Sequence, residues 1–121
     1  STEKIHADRA AAVQQIAQQL RCSVVLKGAD SLCVTRSGQL FINKTGNPGM
    51  SSAGMGDVLT GMIAAFIAQG QTADNALLLA VHLHGAAGDA LAGQYATIGM
   101  TATEVTEWAR WLLNQWQLPS R

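Results

Sequence analysis

The sequence predicts an α/β protein in which short strands precede a glycine-rich loop and helices follow it. Short apolar runs typical of buried strands lie before residue 47, and from Val58 apolar residues recur at helical spacing almost to the end of the chain. Between these two parts lies a loop that reads N-P-G-M-S-S-A-G-M-G-D and leads directly into a helix. The architecture therefore changes at this loop.

The composition bounds the class of protein. The 121 residues fit one domain or part of one, and with 48% hydrophobic but only 13% charged residues we expect part of the surface to be covered, as in a homo-oligomer. Eight basic and eight acidic residues cancel, which argues against a nucleic acid or a membrane as partner.

Cys22 and Cys33 lack C-x-x-C spacing, and no signal peptide or membrane-length apolar stretch is recognised, so we expect reduced, buried thiols in a cytoplasmic protein.

The residues before the loop predict one helix and three strands. Residues 6–20 carry an apolar face opposite a row of glutamines, as in an amphipathic surface helix. The run 23–26 is typical of a strand buried on both faces in a parallel sheet. Runs 32–35 and 40–43, joined by a turn that contains Gly38, predict a hairpin. We therefore expect a mixed sheet with an antiparallel hairpin beyond its parallel part.

Two more helices are expected after the one that follows the loop. Residues 73–92 are apolar on most sides, which predicts a helix that is buried or at an interface. His82 and His84 are two residues apart on this helix and point to different faces, so packing roles are favoured over a shared metal ion. Asp89 is interpreted as structural. A capping box at residues 101–104 begins the last helix.

The last helix carries a stripe of large apolar side chains at helical spacing: Trp108, Trp111, Leu112 and Trp116. Such a stripe packs either in the core or at a subunit interface, and both remain open here. Pro119 is expected to end the helix.

The glycine-rich loop has the features of a phosphate site. Gly49, Gly54 and Gly56 permit positive φ and close approach to a ligand, and the helix beginning near Asp57 offers unpaired N–H groups and the positive end of its dipole. Asp57 has a simpler explanation as an N-cap, but a cap requires none of the three glycines. A carboxylate beside bound phosphates can take the proton from an attacking hydroxyl, which suits phosphoryl transfer. Neither the P-loop nor the dinucleotide-binding motif is present.

Lys27 ends the first predicted strand, at the sheet edge where open α/β sheets bind ligands. An exposed lysine at a strand end would need no function. Because Gly28 follows it and permits close approach, we favour a role facing a nucleotide.

These motifs together resemble a known family. Gly54-Met55-Gly56-Asp57 followed by Val58-Leu59-Thr60-Gly61 resembles the anion hole and catalytic aspartate of the ribokinase-like superfamily. With Asn47-Pro48-Gly49-Met50 in front, with Lys27-Gly28-Ala29, and with the segment 83–89, the chain is similar to the ADP/ATP-dependent NAD(P)H-hydrate dehydratases over nearly its whole length.

The resemblance implies a ribokinase-like three-layer α/β/α sandwich, of which residues 1–121 form the C-terminal, nucleotide-binding portion of a single domain. The upstream half of that domain, and in many relatives an epimerase domain before it, would lie outside this sequence. Ser52-Ala53 is a mild departure from the family, in which many members have an additional glycine. The implied nucleotide-binding residues are Lys27, Gly28, Ala29, Asp30, Ser31, Gly54, Met55 and Gly56.

The implied reaction is the dehydration of the S-form of NADH or NADPH hydrate. ADP, or ATP in some relatives, donates a phosphoryl group to the ring hydroxyl with Mg²⁺ on the phosphates, and Asp57 contacts the substrate and acts as the base. No residue of this chain is implied as a metal ligand. Two alternatives stay open: a ribokinase-like kinase for a vitamin precursor or sugar, and a non-catalytic adenylate-binding module.

Overall fold

The computed structural model describes residues 2–117, which form four α-helices, three strands and one 3₁₀ turn. In chain order these are α1 (Thr2–Leu20), β1 (Val24–Leu26), β2 (Leu32–Val34), β3 (Leu40–Ile42), the 3₁₀ turn (Pro48–Ser51), α2 (Met55–Ala68), α3 (Ala73–Tyr95) and α4 (Ala102–Gln117).

The elements are arranged in three layers, with the sheet in the middle. Alternate residues of β2 face opposite sides of the sheet, so the two sides pack against different helices. Leu32 and Val34 pack against Val13 and Ala17 of α1 in one cluster. Cys33 points the other way, into a larger cluster built from α2, α3 and α4. Helix α1 thus covers one face of the sheet and the other three helices cover the opposite face, as the predicted sandwich requires.

The sheet is antiparallel throughout the described residues, in the order β1-β2-β3. The hairpin is confirmed, with Leu32 opposite Ile42 and Gly38 in its turn at a φ of 93°. Among the described residues β1 pairs only with β2, antiparallel, and it is half-buried rather than buried on both faces. A parallel neighbour for the run 23–26 stays a prediction. Residues 27–31, which join the two strands, are too few for the crossover that parallel strands need.

Helix α3 is the centre of the larger cluster. It has the length and mean hydropathy, 1.3, of a membrane span, but ten of its residues are buried within the protein, as in a core helix. Gly85 and Gly88 let the chain that leads to the glycine-rich loop lie against this helix, since a Cβ at Gly85 would overlap Thr45 and a Cβ at Gly88 would overlap Met50.

Side-chain caps begin α3 and α4, and the predicted capping box is confirmed. The Thr72 hydroxyl accepts from the Asn75 N–H at 3.2 Å, and Thr101 and Glu104 form the reciprocal capping box at 3.1 and 3.2 Å. In the tryptophan stripe, Trp108 packs against the core while the other two indoles stay about half-exposed; Trp116 stacks on His82 at a ring distance of 5.7 Å. Pro119 lies outside the described residues.

Asp74, in the first turn of α3, connects this helix to the sheet. Its carboxylate accepts hydrogen bonds from the Ser23 hydroxyl and from the backbone N–H of Arg36. These two hydrogen bonds lower the pKa of the carboxyl below its usual value, with a smaller contribution from the positive charge of Arg36.

We expect Asp74→Ala to lower the free energy of unfolding by about 1–2 kcal/mol at pH 7, because two hydrogen bonds are lost. A carboxyl with a depressed folded-state pKa stabilises above its unfolded pKa, and this contribution is lost as pH falls through the folded pKa. Urea titrations of wild type and variant should therefore differ at pH 7 and converge in acid. Asp8→Ala, on the exposed side of α1, is the control; an equal loss in both variants, or a difference that does not change with pH, contradicts this role.

The two cysteines are free thiols that differ in burial. Cys33 is 1% exposed, and burial raises its pKa to about 11, whereas Cys22 is only partly buried. The expectation of two buried thiols therefore holds fully only for Cys33.

We expect iodoacetamide at pH 8 to modify Cys22 first, because the thiolate is the reactive form and Cys33 keeps its proton. Mass spectrometry of the intact and digested protein identifies the modified residue. Equal labelling rates in the native protein would contradict the assignment, and denatured protein, in which both should react alike, is the control.

Candidate functional site

The glycine-rich loop ends in a helix N-terminus whose amides are left available. Helix α2 begins at Met55, and its N-cap is Gly54, with φ 88° and ψ −8° and no side-chain cap hydrogen bond. Asp57 is therefore not the N-cap; it lies within the first turn. Among the described residues, its exposed carboxylate has no hydrogen bond or ion pair. The unpaired N–H groups and the helix dipole make this turn attractive to an anion.

The three loop glycines are needed for different reasons. Only Gly54 has the positive φ expected for all of them. A Cβ at Gly49 would lie 2.7 Å from the Thr97 carbonyl oxygen, and a Cβ at Gly56 would lie 2.7 Å from Nζ of Lys27. Gly49 thus permits backbone packing, while Gly56 permits a lysine to lie against the first turn of α2.

Lys27 brings a positive charge to this turn. It directly follows β1, and its ammonium lies against Gly56, so the end of the strand and the start of the helix meet. Arg9 of α1 lies behind the same corner: its guanidinium contacts the position of Gly28 and donates to the Lys27 carbonyl at 3.5 Å. A ligand at the turn would meet backbone N–H groups and at least one cation.

A cavity of about 640 Å³ opens beside this turn. Five of the predicted residues line it, namely Lys27, Gly28, Ala29, Ser31 and Met55. The other four, Asp30, Gly54, Gly56 and Asp57, are not among its lining residues. Asp30 instead pairs with Lys44 at 3.1 Å on the surface.

Asp57 lies away from the cavity because of helix geometry. Successive residues turn by about 100°, so Met55 and Leu59 share the face that lines the cavity while Asp57 points about 200° away from Met55. The start of α2 therefore has two sides, with the cavity on one and the carboxylate on the other. Lys27 and the first-turn amides lie between them.

The segment 43–50 forms one wall of the cavity. Its second half belongs to the glycine-rich loop, whereas sequence reasoning did not place residues 43–46 in the site. Asp89 fixes this segment by accepting from the Gly46 N–H at 3.0 Å and from the Asn47 side-chain amide at 2.9 Å. The structural role expected for Asp89 is thereby explained. No local pattern predicts these long-range bonds, which join residues more than forty positions apart.

His84 is another cavity residue that sequence reasoning missed. It is 7% exposed, lines the cavity, and its Nε2 has no hydrogen-bond partner among the described residues. Burial lowers the pKa of the imidazole, and the Lys27 charge lowers it further. The shared helical face of Val81, His84 and Gly88 was the signal that could have placed it here. His82 is exposed and stacks on an indole, as a packing role predicts.

Comparison with known proteins gives the family of this chain. The family model for NAD(P)H-hydrate dehydratase matches residues 1–110. The chain belongs to the NAD(P)H-hydrate dehydratase family. The resemblance predicted from the glycine-rich loop is thus confirmed.

Two curated members of this family show how much of a relative the chain represents. The bifunctional NAD(P)H-hydrate repair enzyme Nnr of Thermofilum pendens is 42% identical over 102 residues, which are 84% of this chain and 20% of the relative. The ADP-dependent (S)-NAD(P)H-hydrate dehydratase of Neisseria meningitidis is 40% identical over 115 residues, 93% of this chain and 38% of the relative. The chain thus spans about a fifth to two-fifths of the length of these relatives.

Solved structures of the family confirm the predicted fold class. The ADP/ATP-dependent NAD(P)H-hydrate dehydratase from Bacillus subtilis, co-crystallised with ATP/Mg²⁺, matches with a TM-score of 0.86 at 28% identity. The match covers 95% of this chain and 42% of that one. The B. subtilis protein YxkO, described as a putative kinase, matches equally well, with a TM-score of 0.86.

We expect Gly56→Ala to weaken binding of pyrophosphate about tenfold without unfolding the protein. The new methyl group displaces only the flexible end of Lys27, which moves a charge-assisted contact away from the turn. Gly61→Ala is the matched control, since it lies in the same helix with nothing within 4 Å of its added Cβ. Calorimetric titration and thermal melts of both variants test this; unchanged binding by Gly56→Ala would show that Lys27 does not contribute.

Proposed function

We propose that this chain supplies the nucleotide-binding and phosphoryl-transfer portion of an ADP-dependent dehydratase that acts on the S-form of NADH or NADPH hydrate. One observation carries the proposal: the uncapped first turn of α2 lies against the Lys27 ammonium, with the Asp57 carboxylate in the same turn. The names of the family members support the choice of reaction.

The phosphates of ADP would bind over the amides from Gly54 to Gly56, with Lys27 beside them. Such donors stabilise the charge that develops on a transferred phosphoryl group, and they are in place before reaction. The described residues contain no group of three acidic, histidine or cysteine side chains that could hold a metal ion. Mg²⁺ would accompany the phosphates of ADP and neutralise part of their charge.

Asp57 would act as the base. As the ring hydroxyl of the hydrate attacks the terminal phosphorus of ADP, its proton passes to the carboxylate and the bond from phosphorus to the AMP oxygen breaks. The phosphorylated hydrate then loses phosphate from the ring carbon and a proton from the neighbouring carbon, which restores the double bond of the dihydropyridine. The exposed position of Asp57 leaves room for the substrate on that side of α2.

The rest of the substrate site would come from residues outside this sequence. We propose that residues 1–121 are the C-terminal portion of one dehydratase domain, which an epimerase domain precedes in the full protein. A cytoplasmic homo-oligomer is part of the same proposal, supported by the free thiols and by the half-exposed indoles of Trp111 and Trp116.

A chimaera tests the proposed reaction. Residues of this chain replace the matching segment of the N. meningitidis relative, and the product is assayed with NADPH hydrate and with ADP or ATP. Return of the absorbance of reduced nicotinamide supports the dehydratase. Accumulation of a stable phosphorylated product points to a kinase, and stabilisation by ADP without turnover points to a binding module.

In this chimaera we expect Asp57→Asn to lower turnover by about 10²- to 10⁴-fold, since the amide cannot accept the proton. ADP affinity should change by less than about threefold, because the amides and Lys27 remain. Glu107→Gln, an exposed change on α4, is the control. Near-normal turnover of Asp57→Asn rules out its role as the base.

A further inference from the structure

The outer edge of β3 is an apolar strand edge without the usual protection. In the described part of the chain the sheet ends at β3, with no strand beyond it. The strand consists of Leu40, Phe41 and Ile42, and the last two are 39% and 51% exposed. Natural proteins usually protect such an edge with a charged residue, a proline or a bulge in the strand. This edge is therefore available to a further strand.

The register of the hairpin shows which backbone groups of β3 are open. At its end, Asn43 donates to the Ser31 carbonyl at 2.8 Å. Hydrogen-bonded and non-hydrogen-bonded pairs alternate along an antiparallel ladder, so Phe41 is bonded to β2 while Leu40 and Ile42 are not. The N–H and C=O groups of Leu40 and Ile42 thus point to the open side, in the geometry that another strand requires.

An apolar groove borders the same edge. It has a volume of about 180 Å³, and Phe41 and Ile42 line it together with Leu78 and His82 of α3. Within the described chain, no aspartate, glutamate, lysine or arginine is among its lining residues. The half-exposed indole of Trp116 stacks on His82 at a ring distance of 5.7 Å and extends the apolar surface onto α4. The open backbone groups and the apolar side chains therefore form one continuous surface, the β3 surface.

The proposed upstream half of the domain would attach at the opposite edge of the sheet. The chain enters the sheet through α1, which packs on β1 and β2 and leads directly into β1. A strand before α1 would form a strand–helix–strand unit with β1, and consecutive elements of this kind usually lie side by side. Because β2 occupies one side of β1, that strand would pair on the other side. The edge of β3, at the far end of the sheet, stays open.

We propose that β3 pairs antiparallel with β3 of a second copy of this chain, about a two-fold axis at Phe41. This inference rests on the homo-oligomer of the proposed function and names its interface. The axis sets Leu40 opposite Ile42 of the second copy, so the open N–H and C=O groups of both copies form hydrogen bonds. The two Phe41 rings then lie beside each other on the groove side of the sheet, as a cross-strand aromatic pair. The β3 surface is thus complementary to itself, as a closed dimer requires.

The chimaera with the N. meningitidis relative tests this interface, because the relative's upstream half occupies the β1 edge. Sedimentation velocity over a concentration series gives the mass of the assembly. Ile42→Lys should halve the wild-type mass and raise the dissociation constant about tenfold or more, because an unpaired ammonium would be buried at the interface. Ile98→Lys is the matched control. It makes the same change at a 96% exposed residue outside the β3 surface and should keep the wild-type mass.

The possible failures are distinguishable. A wild-type chimaera that is monomeric at about 100 µM overturns both the homo-oligomer and this interface, while the assay of phosphoryl transfer is unaffected. An oligomer whose mass Ile42→Lys does not change, or that Ile98→Lys disrupts equally, overturns the interface alone.

Hydrogen exchange of the wild-type chimaera covers the case in which Ile42→Lys does not fold. By NMR, the amide hydrogens of Leu40 and Ile42 should exchange about tenfold more slowly in concentrated than in dilute protein, because pairing protects them. The amide of Phe41, bonded within the hairpin, is the internal control and should change little. Exchange of Leu40 and Ile42 that does not depend on protein concentration overturns the inference.

Discussion

The close packing of residues 43–50 against α3 is the constraint on which the site depends. Gly85 and Gly88 leave space that Thr45 and Met50 fill, and Asp89 binds the Gly46 amide and the Asn47 side chain. Through this contact the hairpin end, the 3₁₀ turn and the start of α2 take fixed positions relative to the core. A side chain at either glycine would push the loop off the helix and move the start of α2 with it.

In this position, α2 has two different faces at its start. One face carries Met55 and Leu59 and lines a mainly apolar cavity that His84 also lines, whereas the other carries the exposed carboxylate of Asp57. Lys27 lies between these two faces against Gly56, so its positive charge is close to both of them.

Local sequence signals predicted the features that depend on local geometry. The hairpin turn at Gly38, the capping box at residues 101–104 and the glycine-rich loop all follow from backbone preferences of a few residues. A short apolar run such as β1 fits either kind of pairing, and the short connection to β2 requires these two strands to be antiparallel.

The site itself was only partly predictable, because its walls come from distant parts of the chain. Lys27 and Gly56 were each singled out, but their contact was not foreseen. His84 was read as a packing residue because periodicity shows that a residue is buried, and does not show that the neighbouring space is a cavity. The sequence placed Asp57 in the first turn of the helix. It did not show that the side chain points away from the cavity, because this depends on which face of α2 packs against the protein.

The unequal size of the two apolar clusters has a consequence for motion. The cluster beneath α1 contains four buried residues, whereas the one on the other side of the sheet contains fourteen. Opening of α1 therefore costs less than opening of α3, and amide hydrogens of α1 should exchange with solvent sooner. Each opening of α1 carries Arg9 away from the corner behind Lys27, while the first-turn amides of α2 keep their places. The electrostatic field at the start of α2 therefore fluctuates more than the shape of that turn.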